Sequence, residues 1–369
     1  MTTIHDVAAL AGVSASSVSN VLNGRTEKLS AKTYSRVEAA IQTLNFSPNR
    51  VARQLKTGHT PMLGLLVPST ANPMYGQLAL NIEAAAQSRF GYSLLLGNTH
   101  RDKQQETRMF DDMLATGVRA VIVVSSLADE RHLNDAAARG MAVVSYDRAA
   151  RHSVNVDSCE SAQLTPSGVP SNVDHVSPDN FQAGYTASEH LIHHGHHHLA
   201  FLVPSGQTVS RSAKIAGFLA RAAESCAAGV TIITHVLASP VAAAFGDSEL
   251  LELGAAMAEQ VVALSPMPTG IVTVNDMLAI GLMSGLHKLG LTIPKDISII
   301  GMDGLPIAAF LNPGLTSVAM PLGIMADAMV ERAIARATHP ELPPFTALFK
   351  TTLVERQSVA PPCGVRAKD

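Results

Sequence analysis

The chain has 369 residues, enough for two or three domains that each bury a core. Nearly half of the residues are apolar, but no apolar run is long enough to span a bilayer and no signal peptide is visible. The three cysteines are scattered, which argues against a disulfide framework or a cysteine metal site. We therefore expect a cytoplasmic protein without membrane contact.

The formal charge of −3 is unevenly distributed along the chain. Residues 1–60 hold seven basic and three acidic side chains, so this segment carries +4 and the remainder carries −7. A basic head on an acidic body is typical of a protein whose head alone contacts the phosphates of nucleic acid. A solvated positive face gives the same count, so the interpretation depends on the motifs in the head.

The head is predicted to contain three short helices. Thr3, Ser14 and Ser30 are suited to N-caps, Asp6 places a carboxylate in the first turn, and Gly12 permits the positive φ of a helix end. Two helices joined by such a tight turn form a helix-turn-helix, whose second helix reads the major groove of DNA. The apolar residues predicted to face inward are Val7, Leu10, Ala11, Val18, Val21, Leu22, Tyr34, Val37, Ile41 and Leu44.

The head also carries an ordered series of motifs. Ile4-x-Asp-Val-Ala-x-x-Ala-Gly-Val-Ser14 is followed by Val18-Ser19, Val21-Leu22-Asn23, Pro48-Asn49 and Ala52-Arg53-x-Leu55. This series resembles the headpiece of the lac-repressor family of transcriptional regulators. The resemblance implies that double-stranded operator DNA is the partner, whereas a purely structural three-helix bundle would not require so specific an order.

By this resemblance, Ala15 and Ser16 occupy the main base-reading positions of the second helix, and Asn20 stands where the family usually has Arg. Because Asn pairs with adenine rather than guanine, we expect a different operator preference. Ser17 and Ser19 either read bases or contact phosphate and solvent without specificity. The residues predicted to contact DNA are Thr3, Ser14, Ala15, Ser16, Ser17, Ser19, Asn20, Asn23, Tyr34, Asn49, Ala52, Arg53 and Leu55.

Residues 48–60 connect the head, residues 1–47, to the body. Pro48 disfavours helix before it, and residues 49–56 are long enough for about two helical turns, which are marginal alone. The resemblance implies a hinge helix that orders on the operator, with Leu55 wedged between base pairs in the minor groove. A plain linker with Leu55 packed on the head is the alternative.

From residue 61 to residue 360, short apolar runs alternate with helical patterns. The predicted strands lie near residues 63–67, 92–96, 120–124, 142–145, 199–203, 230–235, 270–274, 297–300 and 348–355. This rhythm predicts an α/β body of two doubly wound parallel lobes around a cleft. By resemblance the body has the periplasmic sugar-binding-protein fold, with the chain passing between lobes near residues 178–182 and 318–322. Residues 361–369 are a predicted tail.

Polar residues follow several of these strands, where ligands of parallel sheets bind. Carboxylates and amides bond vicinal hydroxyls, and a tyrosine ring covers an apolar sugar or base face. The predicted effector-binding residues, which match the family's motifs, are Asn72, Met74, Tyr75, Asp147, Arg148, Lys214, Asn275 and Asp303. For Asp179, Asn180 and Asp276, helix capping or bonding between lobes is an equal alternative.

Two features depart from the family. Lys214 stands where the family usually has Arg, and an ammonium cannot make the bidentate fork of a guanidinium, whether or not the displaced Arg211 compensates. Residues 155–173 form a polar segment longer than the family's usual connection, predicted as a surface insertion, with a lid over the cleft as the alternative.

The histidines of residues 190–198 suggest a metal cluster, because His190 shares a helical face with His193 or His194 and imidazoles bind zinc. Gly195 ends that helix, however, and no carboxylate or cysteine completes a ligand set. We therefore expect a structural role for these histidines, with no metal and no cofactor in the protein.

Together these observations predict a homodimeric repressor, with a tetramer left open, whose operator affinity is controlled by a sugar or sugar derivative between the lobes. A solute-binding protein of the same two-lobed fold would need a signal peptide and would have no use for the head. A sugar- or metal-dependent enzyme would need a catalytic nucleophile or a complete ligand set, and we predict no catalytic residue. The choice between inducer and corepressor stays open.

Overall fold

The computed structural model describes residues 2–22, 25, 29–46, 61–125, 130–147, 172–206, 208–242 and 249–362, with only the backbone of residues 240–242. The chain divides into two compact units, Met1–Thr60 and Pro61–Asp369. The predicted hinge helix and its residues Asn49, Ala52, Arg53 and Leu55 lie outside the described residues, as does Asn23.

The head consists of α1 (Ile4–Ala11), α2 (Ala15–Leu22) and α3 (Ala31–Thr43). Thr3 and Asp6 form a capping box at α1, and Gly12 ends that helix at φ 59°. The Ser30 hydroxyl accepts the amide of Thr33 at the start of α3. The fully buried core of the head is small, consisting of Val7, Ala8, Ala11, Val18, Val37 and Ala40.

Leu10 is a correction to the predicted inward stripe of α1, because it is 54% exposed. A three-helix unit this small has room to bury only one face of each helix, and on α1 the smaller Ala8 takes the inward place instead. Tyr34 is half-buried, and its hydroxyl donates to Glu38 Oε1 at 2.6 Å along the same helix.

The body contains two six-stranded sheets. The elements of its first part are β1 (Met62–Val67), α4 (Pro73–Phe90), β2 (Ser93–Asn98), α5 (Lys103–Ala115), β3 (Ala120–Val123), α6 (Arg131–Ala138), β4 (Ala142–Tyr146) and β5 (Asp174–Pro178). The following elements are α7 (Asn180–His193), β6 (His198–Ser205), α8 (Val209–Ala227), β7 (Ile233–Ala242), α9 (Leu250–Val262), β8 (Gly270–Thr273), α10 (Asp276–Lys288), β9 (Ser298–Asp303), a 3₁₀ turn (Pro306–Phe310), β10 (Thr316–Ala319), α11 (Leu322–Thr338), β11 (Thr346–Phe349) and β12 (Thr352–Val354).

The first sheet has the strand order β11-β5-β4-β3-β1-β2, and its strands pair in parallel. The second sheet has the order β12-β10-β9-β8-β6-β7, with only β12 antiparallel to its neighbour. Side chains alternate between the faces of the first sheet, so Leu65 joins the core under α4 and α11 while Leu66 joins the core under α5 and α6. These two sheets with their helices are called the first and second lobes below.

Within the described residues the chain passes between the lobes three times: between β5 and α7, between β10 and α11, and between β11 and β12. The predicted single late strand over residues 348–355 is therefore wrong, since β11 pairs with the first sheet and β12 with the second. The alternation of apolar residues is the same for one long strand or two short ones, and only the choice of partner separates them. The predicted fold class is confirmed by this architecture.

Candidate functional site

The parallel strands of both lobes direct their carboxyl ends toward one partly open cavity of about 50 Å³. The cavity is lined by seven of the eight residues predicted to bind an effector, namely Asn72, Met74, Tyr75, Asp147, Lys214, Asn275 and Asp303. Arg148 lies outside the described residues.

Strained backbone is concentrated at this cavity. Among the described residues, five that are not glycine have positive φ, and three of these line the cavity: Arg101 at 61°, Asp147 at 67° and Asp303 at 132°. His100, the neighbour of Arg101, is a fourth, at 50°. Such conformations cost free energy and persist where the surrounding structure imposes them, often at ligand sites. The residues with strained backbone therefore lie at the same cavity as the predicted residues that follow the strands.

Three helices begin at the cavity, each with its capping side chain in the lining. Asn72 Oδ1 accepts the amide of Met74 at 3.0 Å, Thr208 Oγ1 caps α8, and Asn275 Oδ1 accepts the amide of Leu278 at 2.9 Å. Asn72 and Asn275 are therefore caps as well as lining residues. The alternatives left open in the sequence resolve in the same way for Asp179, which caps α7 through the amide of Gln182 at 3.0 Å.

Hydrogen bonds hold the Asp147 carboxylate and the backbone that follows Asp303. Asn180 Nδ2 donates to Asp147 Oδ1 at 2.8 Å, across the passage from β5 to α7. Asp276 does not line the cavity; it accepts from Ser317 Oγ at 2.6 Å and from the amide of Leu305 at 2.7 Å. These bonds hold the turn that follows Asp303.

Tyr146 lies fully buried beneath this part of the site. Burial raises the pKa of the Tyr146 hydroxyl well above its usual value, and the charges of Asp147 and Asp303 raise it further. The hydroxyl is 3.4 Å from the sulfur of Met320, which lines the cavity, and 4.0 Å from that of Met74. The phenol therefore stays neutral, near enough to Asp147 and Asp303 for their charges to act on it.

Several lining residues were not predicted to bind the effector from the sequence. They are Arg101, Val124, Ser125, Thr208, Val209, Ser210, Arg211, Val274 and Met320. Arg101 and Ser125 follow β2 and β3, so the strand-end rule could have found both. The adjacent Asp102 caps α5 by accepting the amide of Gln104 at 2.7 Å.

The predicted DNA-contacting residues that are described cluster on α1 and α2, apart from Tyr34 on α3. Ser14 and Ser16 are exposed, while Ser17, Ser19 and Asn20 are half-exposed. Ser14 Oγ lies 2.7 Å from Ser16 Oγ and accepts the amide of Ser17 at 3.2 Å, so it caps α2. Thr3 caps α1, and Ala15 packs partly against the core of the head. The hydroxyl-rich start of α2 thus faces solvent.

The histidines of residues 190–198 lie in different environments. The rings of His190 and His194 are 4.3 Å apart, and His190 Nδ1 lies 3.8 Å from Glu355 Oε1. His196 is buried between Thr269 and the carbonyl of Ala360. Across the described part of the chain, no three histidine, cysteine or acidic side chains are arranged to hold a metal ion. Over the same residues, no helix is long and apolar enough to cross a membrane.

Comparison with known proteins agrees with this division of the chain. Residues 3–49 match the profile described as bacterial regulatory proteins, lacI family, and residues 188–359 match a periplasmic binding protein-like domain. The HTH-type transcriptional repressor PurR of Erwinia tasmaniensis is 30% identical over 371 residues, covering 98% of this chain and 97% of that protein. The chain belongs to the LacI family of transcriptional regulators.

Other relatives extend the likeness. PurR of Actinobacillus pleuropneumoniae is 30% identical over 97% of this chain and 98% of its own. The lac repressor dimer bound to operator and the anti-inducer ONPF superposes with a TM-score of 0.77 at 22% identity, covering 97% of this chain and 99% of that one. The complex of the regulator CelR with cellobiose gives 0.65 at 24% identity, covering 97% and 100%. These two structures share the fold with this chain.

Membership of this family makes the chain a DNA-binding transcriptional repressor with an effector-binding domain, and not an enzyme. Its homologues bind operator DNA and effectors as dimers. The head is accordingly the candidate DNA interface, and the cavity in the body is the candidate effector site.

Proposed function

We propose that this protein is a cytoplasmic homodimer that represses transcription from a near-palindromic operator until a small hydroxylated ligand, a sugar or sugar derivative, enters the cavity. The observation that carries the ligand half of this proposal is the lining itself. Carboxylates, amides and hydroxyls from six strand ends and three helix starts converge on one space, and an aromatic ring, Tyr75, lies among them. Such a set bonds several hydroxyl groups at once.

The proposed mechanism couples the ligand cavity to the DNA-binding heads through a body that has an open and a closed state. Residues of both lobes line the cavity, so a ligand that contacts both favours their closed arrangement over the open one. In a dimer, a change in closure alters the spacing of the two heads and hence the affinity for two half-sites one helical turn apart. Release on ligand binding is the direction that we propose.

On the DNA side, we propose that the start of α2 reads the major groove with Ala15, Ser16 and Asn20. Residues 49–56 of the two subunits would form hinge helices whose Leu55 wedges into the minor groove and bends the operator. Arg53 would contact phosphate. The exposure of Ser14 and Ser16 at the start of α2 supports the first of these roles. The net charge of +4 over residues 1–60 supports the phosphate contact.

The experiment that tests the function is selection of bound fragments from random and genomic DNA at rising salt. A specific dimeric reader should recover a near-palindrome with two half-sites. Leu55→Ala should then weaken binding to that operator more than to unrelated DNA. The reason is that the leucine can insert only where the base pairs at the centre of the site can be unstacked. Recovery of sequence-independent, salt-labile binding alone would contradict the proposal, and equal losses for the variant would contradict the wedge.

Control by a ligand is tested on the same operator. Asp303→Ala should remove the response to any compound that releases the wild-type protein while leaving operator binding intact, because Asp303 lies in the cavity and not in the head. The matched control is Asp296→Ala, in the loop before β9 and outside the lining. A fully responsive Asp303→Ala protein would remove the cavity from the mechanism.

A further inference from the structure

Lys214 has an unusual environment for a lysine. The residue is only 5% exposed, it lines the cavity, and its ammonium donates to the carbonyl of Val274 at 3.2 Å. Among the described residues no carboxylate lies within 4.0 Å of this ammonium, although Asp147 and Asp303 line the same cavity. An ammonium has three hydrogens to donate, and burying it without a counter-ion is costly. The charge of the Lys214 ammonium is therefore not balanced by a nearby carboxylate among the described residues.

The backbone of Lys214 has little freedom to move away from this position. A Cβ atom on Gly184 of α7 would collide with the Lys214 carbonyl, and one on Gly217 of α8 would collide with the Phe181 carbonyl. The two helices therefore touch backbone to backbone on either side of Lys214. At the far end of the side chain, the ammonium donates a hydrogen bond to the carbonyl of Val274, the residue that follows β8. Its charge is held at the cavity by the packing of the second lobe.

Other features add positive potential at the same place. The N-terminal ends of α4, α8 and α10 meet the cavity, and each carries the partial positive charge of a helix N-terminus. Arg101 and Arg211 also line it. The hydroxyl of Ser125, 3% exposed and in the lining, has no hydrogen-bond partner among the described residues. A negatively charged ligand would meet donors on several sides.

The carboxylates of Asp147 and Asp303 set a second requirement. Ionised carboxylates only accept hydrogen bonds, so they select groups that donate, such as hydroxyls. We propose that the effector carries both an oxyanion, a carboxylate or a phosphate, which pairs with Lys214, and hydroxyls that donate to Asp147 and Asp303. Sugar acids and sugar phosphates combine these two chemistries. This inference rests on the proposed function, because it assigns the charge of the ligand that controls the repressor.

The test compares charged and neutral sugars on the full-length protein by titration calorimetry at fixed ionic strength. The pairs are gluconate with glucitol, glucuronate with glucose, glucose 6-phosphate with glucose, and ribose 5-phosphate with ribose, with acetate and inorganic phosphate as minimal anions. We expect at least one charged member to bind more than tenfold more tightly than its neutral partner. The carboxylate and phosphate series separate the two sources of the oxyanion.

Variants connect the preference to the lysine. Lys214→Met should lower affinity for the charged member at least tenfold while changing affinity for its neutral partner little. Lys214→Arg keeps the charge and should keep the preference. Lys288→Met, exposed at the end of α10, is the control and should match the wild-type protein. A preference that survives in Lys214→Met would overturn the assignment of the lysine.

The remaining outcomes separate this inference from the function on which it rests. Neutral members that bind as tightly as charged ones, or charged members that all fail to bind, would overturn the anionic effector. Specific operator binding by the same preparation would leave the repressor intact in either case. Failure to bind any specific operator would overturn the proposed function itself, whatever the sugars do.

Discussion

The two lobes share one architecture but stabilise their buried polar groups in different ways. In the first lobe, Asp174 is fully buried and accepts from Arg336 Nε at 2.6 Å and from Arg336 Nη2 at 2.7 Å. Arg332 Nη2 also donates to it, at 3.2 Å. In the second lobe, the buried Asp276 accepts only from neutral donors in the described hydrogen bonds, a hydroxyl and a backbone amide. Burial raises the pKa of Asp276, and these hydrogen bonds partly offset the increase.

The difference follows from what each group has to hold. Asp174 opens β5, while Arg332 and Arg336 lie on α11, and Phe345 just before β11 donates its amide to the same carboxylate at 2.8 Å. The first lobe is thus assembled from two distant parts of the chain, which meet at one network of ion pairs. Most of the second lobe comes from one stretch, from α7 to β10, and it relies instead on close helix contacts and neutral hydrogen bonds. We expect charge removal to damage the first lobe most and packing changes to damage the second.

The largest expected effect comes from Asp174→Asn. The substitution keeps the shape but leaves the buried Arg336 and the partly buried Arg332 without their counter-ion, which costs about 3–5 kcal/mol when one partner of a buried pair is removed. The free energy of unfolding from urea titration measures the loss.

The control for that variant is Asp111→Asn in the same lobe. Asp111 pairs with Arg139, and both side chains are about half exposed, at 49% and 52%. Exposed pairs of this kind contribute less than about 1 kcal/mol. Equal losses for the two variants would mean that the network at Asp174 is not what joins the first lobe together.

A smaller effect is expected from Gly217→Ala in the second lobe. The new Cβ would meet the backbone of Phe181 and Tyr185 on α7, where no flexible side chain can move aside, so the helices must separate. Overpacking of this kind costs about 1–3 kcal/mol, and we place this case at the upper end because the obstacle is backbone.

In the first lobe, a glycine-to-alanine substitution in a helix is expected to stabilise the protein instead of destabilising it. Gly76 lies in α4, and a Cβ there would have no atom within 4 Å. Gly76→Ala should stabilise the protein by about 0.5–1 kcal/mol, because alanine loses less backbone entropy in a helix. If both variants shift the urea midpoint in the same direction, close helix packing is not the property that separates the lobes.

The sequence predicted what depends on local chemistry. The caps Thr3, Ser14 and Ser30 and the C-terminal Gly12 act within a few residues of themselves, so composition and spacing suffice to find them. The strand-end rule and the family's motifs together brought seven predicted effector-binding residues to one cavity, because the carboxyl ends of parallel strands lie on one edge of a sheet whatever the order of the strands.

The network at Asp174 could not be predicted in this way. Asp174 and Arg336 are separated by 162 positions, and nothing near either residue indicates its partner. The same limit applies to the separate strands β11 and β12, which pair with strands of different sheets. Long-range pairing is a property of the assembled lobes, and a single sequence contains it only implicitly.

The last expected effect is a pH dependence that should belong to the second lobe. His196 is buried, Nε2 faces the carbonyl of Ala360 at 2.9 Å and so carries the hydrogen, and Nδ1 lies 3.0 Å from the Thr269 hydroxyl. Burial lowers the pKa of His196 from 6.5 to about 4, and the hydrogen bond to Ala360 opposes the shift in part. Between these values the unfolded chain binds the additional proton, so stability falls as the pH falls.

Lowering the pH from 7 to 5 should therefore reduce the free energy of unfolding by about 2 kcal/mol through this residue alone. His196→Gln should lose that part of the pH dependence, whatever its stability at neutral pH. His339→Gln, at a side chain 62% exposed, should keep the wild-type slope. Because the unfolding curve also contains the titration of other groups, the decisive quantity is the difference in slope between His196→Gln and the wild-type protein. Identical slopes would mean that the neutral hydrogen bonds around His196 tolerate its charge, and that the second lobe is less sensitive to proton uptake than its buried groups suggest.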